Sequence, residues 1–175
     1  MVMRVLAMAV LLAATQTSAI DYSVYFWPAP GNAAERSVAG VERQFAVVVN
    51  VADGIGSHSY KLLLRAFAPD GSLACETTTT VVPWQGKSSL KRVAWFEASY
   101  SDKQGDRKVR PGKYLLRAYL TEQVLPGQHP EDTNLGNNQF PLEPPQYTPV
   151  EFDVRPGAAE IRCAVPSFAP GPERR

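Results

Sequence analysis

Few side chains in this sequence can do chemistry. Among its 175 residues are two histidines, His58 and His129, and two cysteines, Cys75 and Cys163. Ser57-His58-Ser59 has residue types used in nucleophilic catalysis. No Gly-x-Ser-x-Gly elbow frames it, and the segment reads as a loop entering a strand. No glycine-rich loop able to cradle a phosphate is present. Apart from the loop pair His129 and Glu131, neither histidine has a Cys, His or carboxylate two to four residues away on one strand face. The spacing therefore assigns no metal ligand, and a loop histidine beside Pro130 is expected to face solvent.

Two further sets of residues merit weighing. Asp132, Asn134 and Asn137 can offer oxygens to calcium, a hard cation. Only Glu131 and Asp132 supply carboxylates there, and the spacing departs from the Asp-x-Asn-x-Asp-Gly loop. The preferred alternative is that these side chains bond neighbouring backbone groups. Three tryptophans and seven tyrosines raise a sugar-stacking surface, with Trp84 in a Pro-x-x-Gly turn as its best-placed member. Aromatic residues in sandwiches more often pack in the core or at its rim.

The elements that must position these residues read as strands. Tyr60, Leu62, Leu64 and Ala66 alternate with Lys61, Leu63, Arg65 and Phe67. Tyr114, Leu116, Ala118 and Leu120 alternate with Lys113, Leu115, Arg117 and Tyr119, and Val150, Phe152 and Val154 with Glu151, Asp153 and Arg155. A period of two puts one face in a core and the other in water. Phe45–Val51 is nearly all apolar, as a central strand should be. Tyr22–Trp27, Leu73–Val82, Leu90–Ala98 and Glu160–Val165 are further candidates. Pro69-Asp70-Gly71 is a strong hairpin link, and Pro111-Gly112 opens the strand that carries Tyr114. Tyr114 is a candidate tyrosine corner, its hydroxyl bending back to the preceding backbone. The run Val124–Tyr147 is expected to be a long loop with at most a short helical turn. Leu63–Phe67 and Leu115–Tyr119 echo one another, too briefly for a repeat architecture.

The first residues set the compartment. Arg4 precedes the apolar run Val5–Ala14, and Thr17-Ser18-Ala19 follows, the pattern of a secretory signal peptide. The run is shorter than the roughly 20 residues a bilayer requires. Residues 1–19 are read as signal peptide, 20–166 as one immunoglobulin-like β-sandwich of about seven to nine strands, and 167–175 as a disordered tail. An exported chain meets an oxidising compartment, so Cys75 and Cys163 are expected to pair, with two buried thiols as the alternative. The formal net charge of +1 does not favour nucleic acid. The locally basic Lys87–Arg117 stretch reads as a solvated edge and loop.

Asn50, Gly112-Lys113-Tyr114-Leu115-Leu116, and Asn134 with Asn137-Asn138 resemble the cell-adhesion-related domains of bacteria known as CARDB. The resemblance covers roughly Gln44 to Phe140. It departs from the pattern where Val51-Ala52 follows Asn50, and Lys87–Tyr114 holds a charged insertion. It implies an immunoglobulin-like sandwich with a role in extracellular binding or assembly, and no catalytic residues.

The sequence thus leads to an exported, non-catalytic binding or assembly module of the bacterial envelope or exterior. It implies no cofactor, no transmembrane segment in the mature chain, and a protein or surface polysaccharide as partner. The other classes are an exported protease inhibitor presenting the 124–147 loop and a carbohydrate-binding module. Export makes a direct prediction: protein recovered from the exterior of its host begins near Ile20 by mass spectrometry. An intact Met1 on exported material would refute it.

Overall fold

The structure, a computed structural model, describes residues 20–27, 35–38, 41–52, 56–82, 89–100, 109–141 and 150–165. The expected signal segment 1–19, Trp84 and the 167–175 tail lie outside the described residues.

Among the described residues, ten strands form two antiparallel sheets that pack face to face. They are β1 (Asp21–Trp27), β2 (Glu35–Val38), β3 (Val41–Ala52), β4 (Ser59–Phe67) and β5 (Leu73–Val81). They continue with β6 (Ser89–Tyr100), β7 (Gly112–Gln123), β8 (Gln139–Phe140), β9 (Val150–Val154) and β10 (Ala158–Ala164). One sheet runs β1-β3-β6-β10, with β2 also on β3. The other runs β5-β4-β7-β8, with β9 also on β7. A single short 3-10 turn, Leu135–Asn137, is the one helical element among the described residues.

The alternating runs supply the core. Tyr60, Leu62, Leu64 and Ala66 of β4 are buried, as are Tyr114, Leu116, Ala118 and Leu120 of β7 and Val150, Phe152 and Val154 of β9. Facing them from the other sheet are Tyr22, Val24 and Phe26 of β1, Val47 and Val49 of β3, and Ala94, Phe96 and Ala98 of β6. Burying each of the larger side chains contributes roughly 1.5–3 kcal/mol. Phe96 meets Phe152 edge-on across the sheets, with ring centroids 4.4 Å apart.

Both sides of the sandwich are closed between edge strands. On one side Cys75 of β5 is disulfide-bonded to Cys163 of β10, their Cα atoms 5.6 Å apart. On the other, Phe26 of β1 meets Phe140 of β8 edge-on at 5.7 Å. The Pro69-Asp70-Gly71 turn joins β4 to β5. Gly71 has a φ of +83°, which favours glycine, and Asp70 Oδ1 accepts from the Ser72 amide at 3.0 Å and its hydroxyl at 2.6 Å. Tyr114 Oη donates to the Arg110 carbonyl at 2.9 Å, the geometry of a tyrosine corner.

The echoing segments prove to be partners. In the β4–β7 ladder Leu63 lies opposite Tyr119, Arg65 opposite Arg117 and Phe67 opposite Leu115. Directly opposed like charges are unfavourable, and Arg65 is drawn instead to Glu76 of β5, Nε to Oε2 2.6 Å.

The ten strands are one more than the upper end of the expected seven to nine, and two of them have no sequence candidate. β2 spans four residues and β8 two, too short to display a period in sequence, and β8 lies inside the run read as loop.

Leu116→Ala is expected to cost about 2–5 kcal/mol in urea unfolding, because its side chain is buried between the sheets. Lys61→Ala, on the exposed face of β4, should stay within about 0.5 kcal/mol. Cys163→Ser should lose about 2–5 kcal/mol, and the wild-type unfolded without reductant should show no free thiol. Equal tolerance of Leu116→Ala and Lys61→Ala would contradict the strand faces.

Candidate functional site

The inward face of β4 and β7 changes character at one end of the sandwich. On β7 the inward positions run Tyr114, Leu116, Ala118, Leu120 and then Glu122. On β4, read backwards, they run Ala66, Leu64, Leu62 and Tyr60, and His58 follows one residue before the strand begins. Tyr60 lies directly opposite Glu122 in the ladder. The apolar face thus ends in a histidine and a carboxylate, both nearly withdrawn from water, with side-chain exposures of 7% and 5%. His58 Nδ1 and Glu122 Oε1 are 2.5 Å apart, a direct hydrogen bond between the two side chains.

A third group arrives from the loop after β7. Glu131 Oε1 accepts from the backbone amides of Ser57, at 3.0 Å, and His58, at 2.9 Å. Its Oε2 accepts from the Ser57 amide at 2.8 Å and the Ser57 hydroxyl at 2.7 Å. The Glu131 amide in turn donates to Glu122 Oε1 at 2.8 Å. Burial alone would raise the Glu131 carboxyl, but these hydrogen bonds outweigh it and hold the group below its ordinary value. His58, Glu122 and Glu131 each place a ligand atom within 4.8 Å of the others.

Two tyrosines roof the cluster. Tyr22 of β1 stacks on Tyr60 of β4, with ring centroids 3.9 Å apart. Burial, followed by Glu131, Asp132 and Glu122, pushes the Tyr22 phenol up to about 12. Burial, then Glu122, raises Tyr60 further. Gly56 passes so close that a Cβ on it would lie 1.8 Å from the Tyr22 hydroxyl, so this position has no room for a side chain.

The segment Asp132–Asn138 ties the site to the start of β1. Ile20 and Asp132 form an isolated parallel bridge, and the Thr133 amide donates to the Ile20 carbonyl at 3.0 Å. Asp132 accepts from the Asn134 amide at 3.1 Å and Asn138 Nδ2 at 2.8 Å, and Asn137 Nδ2 donates to Asp21 Oδ1 at 2.8 Å. Of the side chains weighed for calcium, Asp132 is thus engaged with protein donors, and Asn137 donates through Nδ2 while its Oδ1 has no partner. Asp132 is 7% exposed, and that burial raises its carboxyl above the ordinary value.

The cysteines and Tyr114 lie elsewhere in the sandwich, and His129 is exposed. Sequence reasoning missed the cluster because Glu122 and Glu131 stand 64 and 73 residues from His58. The available sign was the alternation itself. Extending each inward face by two residues places His58 and Glu122 where an apolar residue is expected.

No known family, curated protein or solved structure matches this chain.

Glu131→Gln should destabilise the protein by about 1–3 kcal/mol at neutral pH, since an amide satisfies the Ser57 and His58 donors less well than a carboxylate. The pH dependence has a definite sign. The folded-state value of Glu131 lies below its ordinary 4.5, so its stabilisation is present above pH 4.5 and is lost as pH falls through the folded value. Urea titrations across that range should show the gap between wild type and Glu131→Gln closing in acid. A gap independent of pH would contradict the assignment.

Proposed function

We propose that the chain is an exported, non-catalytic binding or assembly module of the bacterial envelope or exterior, built on an immunoglobulin-like sandwich. The observation that carries the binding role is an apolar rim at the histidine end. Val82 follows β5, and Val124 and Leu125 follow β7, where Gln123 pairs with Ser59. These three side chains are 54%, 38% and 64% exposed, and Leu135, on the turn near the start of β1, is 65% exposed. Exposed apolar side chains on neighbouring segments at one end of a sandwich are the surface on which a partner can be bound.

Export draws support from the disulfide, because such a bond persists in oxidising compartments. No helix among the described residues is long and apolar enough to cross a membrane. The CARDB resemblance supports the same reading. Its Gly112–Leu116 piece begins β7 and contains the tyrosine corner, and its closing Asn134, Asn137 and Asn138 form the segment that anchors β1. The partner is a protein or a surface polysaccharide.

The test is crosslinking and recovery of partners from a native envelope extract, with mature wild type and the double variant Leu125→Asp, Leu135→Asp compared. The wild type should retain a defined partner that the folded variant loses by at least tenfold. Equal recovery by both would remove the rim from the interface. Stoichiometric inhibition of a protease by the 124–147 segment would replace the proposal with the inhibitor reading.

A further inference from the structure

We propose that His58, Glu122 and Glu131 bind one divalent transition-metal ion of the zinc class, clamping three separate segments at the end of the sandwich. The inference is independent of the partner proposed above.

Three observations converge on it. The first is geometric: one imidazole nitrogen and two carboxylates place ligand atoms within 4.8 Å of one another, from the loop before β4, the end of β7 and the loop beyond. The second is a deficit of positive charge. Glu122, Glu131 and Asp132 share this end, and among the described residues His58 is the one basic side chain bonded to any of them. Even a protonated His58 balances only one of three carboxylates. Buried carboxylates need a paired cation or a metal.

The third observation is a set of buried oxygens without hydrogen-bond partners. Glu122 Oε2 has none, although Oε1 of the same carboxylate has two donors. The Tyr60 hydroxyl has none either, although Tyr60 is wholly buried and faces Glu122 directly across the ladder. A carboxylate oxygen with free lone pairs and a hydroxyl able to bond a metal-held water are the groups a bound cation would satisfy.

The donor set selects the metal. Imidazole with carboxylate oxygen suits Zn²⁺, Co²⁺, Ni²⁺ or Mn²⁺, whereas Ca²⁺ and Mg²⁺ prefer oxygen alone. Both cysteines are tied in the disulfide, so no thiolate is offered to a soft ion. On binding, His58 Nδ1 becomes a ligand, and the proton of its hydrogen bond with Glu122 Oε1 passes to solvent. The Ser57 and His58 amides hold the Glu131 carboxylate in place, as outer-shell donors do in metal sites.

The test uses the whole mature chain, stripped with chelator and then titrated with Co²⁺ and Zn²⁺ separately. One Co²⁺ per chain should bind, with visible absorption of a site of low coordination number, and Zn²⁺ should displace it and raise Tm. Glu122→Gln and His58→Gln should each weaken binding at least about 100-fold, while His129→Gln leaves it unchanged. Should either ligand variant fail to fold, Tyr60→Phe removes a single hydroxyl and should weaken Co²⁺ binding about tenfold with the fold intact. No stoichiometric Co²⁺ or Zn²⁺ binding by wild type would overturn the proposal. So would binding that survives loss of both His58 and Glu122, or full displacement of Co²⁺ by equimolar Ca²⁺.

Discussion

The register of β4 against β7 fixes both ends of this sandwich at once. Because side chains alternate with a period of two, a slip of one residue would turn Tyr60, Leu62, Leu64 and Ala66 out to water. The same register sets Tyr60 against Glu122 at one end and Phe67 against Leu115 at the other. From Leu115 the chain runs back through Tyr114 and Gly112 to Arg110. There the Tyr114 hydroxyl reaches the Arg110 carbonyl, and Arg110 Nη1 meets Asp70 Oδ2 at 2.6 Å in the β4–β5 turn. A Cβ on Gly112, whose φ is +136°, would stand 2.8 Å from the Pro69 ring. The turn and the corner are therefore fitted to each other as well as to the ladder. The opposition of Arg65 and Arg117 at its centre is tolerated because Glu76 on the next strand draws Arg65 away.

That alternation explains what the sequence reveals. Long runs with one apolar face, such as Ser59–Phe67 and Val150–Val154, announce both their strand and its buried side. Gln139-Phe140 has no room for a period, and its place beside β7 depends on Ala118 and Tyr119, some twenty residues earlier in the chain. The histidine cluster is legible only halfway. Each inward face can be extended to His58 and to Glu122, but the two faces meet only once the ladder is known. Glu131 carries no such sign, since three of its four hydrogen bonds to Ser57 and His58 come from backbone amides, which leave no mark on residue type.

The polar segment after β7 has a larger structural task than its length implies. Through Glu131 it satisfies the amides that enter β4, and through Thr133 and Asn137 it holds Ile20 and Asp21. The start of β1 and the start of β4 belong to different sheets, so these hydrogen bonds act as an inter-sheet tie at one end of the sandwich. The disulfide performs the corresponding task along one side, between β5 and β10. The two ties differ in kind. The covalent one constrains the unfolded chain whatever the pH, whereas the polar one depends on the ionisation of Glu131 and on the charge around it.

The placement of Glu122 is difficult to account for by stability alone. Its inward neighbours on β7 are Leu116, Ala118 and Leu120, all buried, and an apolar side chain at 122 would continue the same core beneath the stacked tyrosines. Replacing buried charged groups by well-packed apolar ones is often neutral or stabilising. A carboxylate there instead requires His58 beside it, the Glu131 amide above it, and still leaves one oxygen without a partner. His58 is likewise a polar residue where the inward face of β4, continued by one step, would take an apolar one. Two such departures, one on β7 and one just before its partner β4, in contact with each other, add an ionic demand that the hydrophobic core does not need. They make the end of the β4–β7 ladder, where the apolar rim also lies, the part of this molecule whose chemistry exceeds what holding the sandwich together requires.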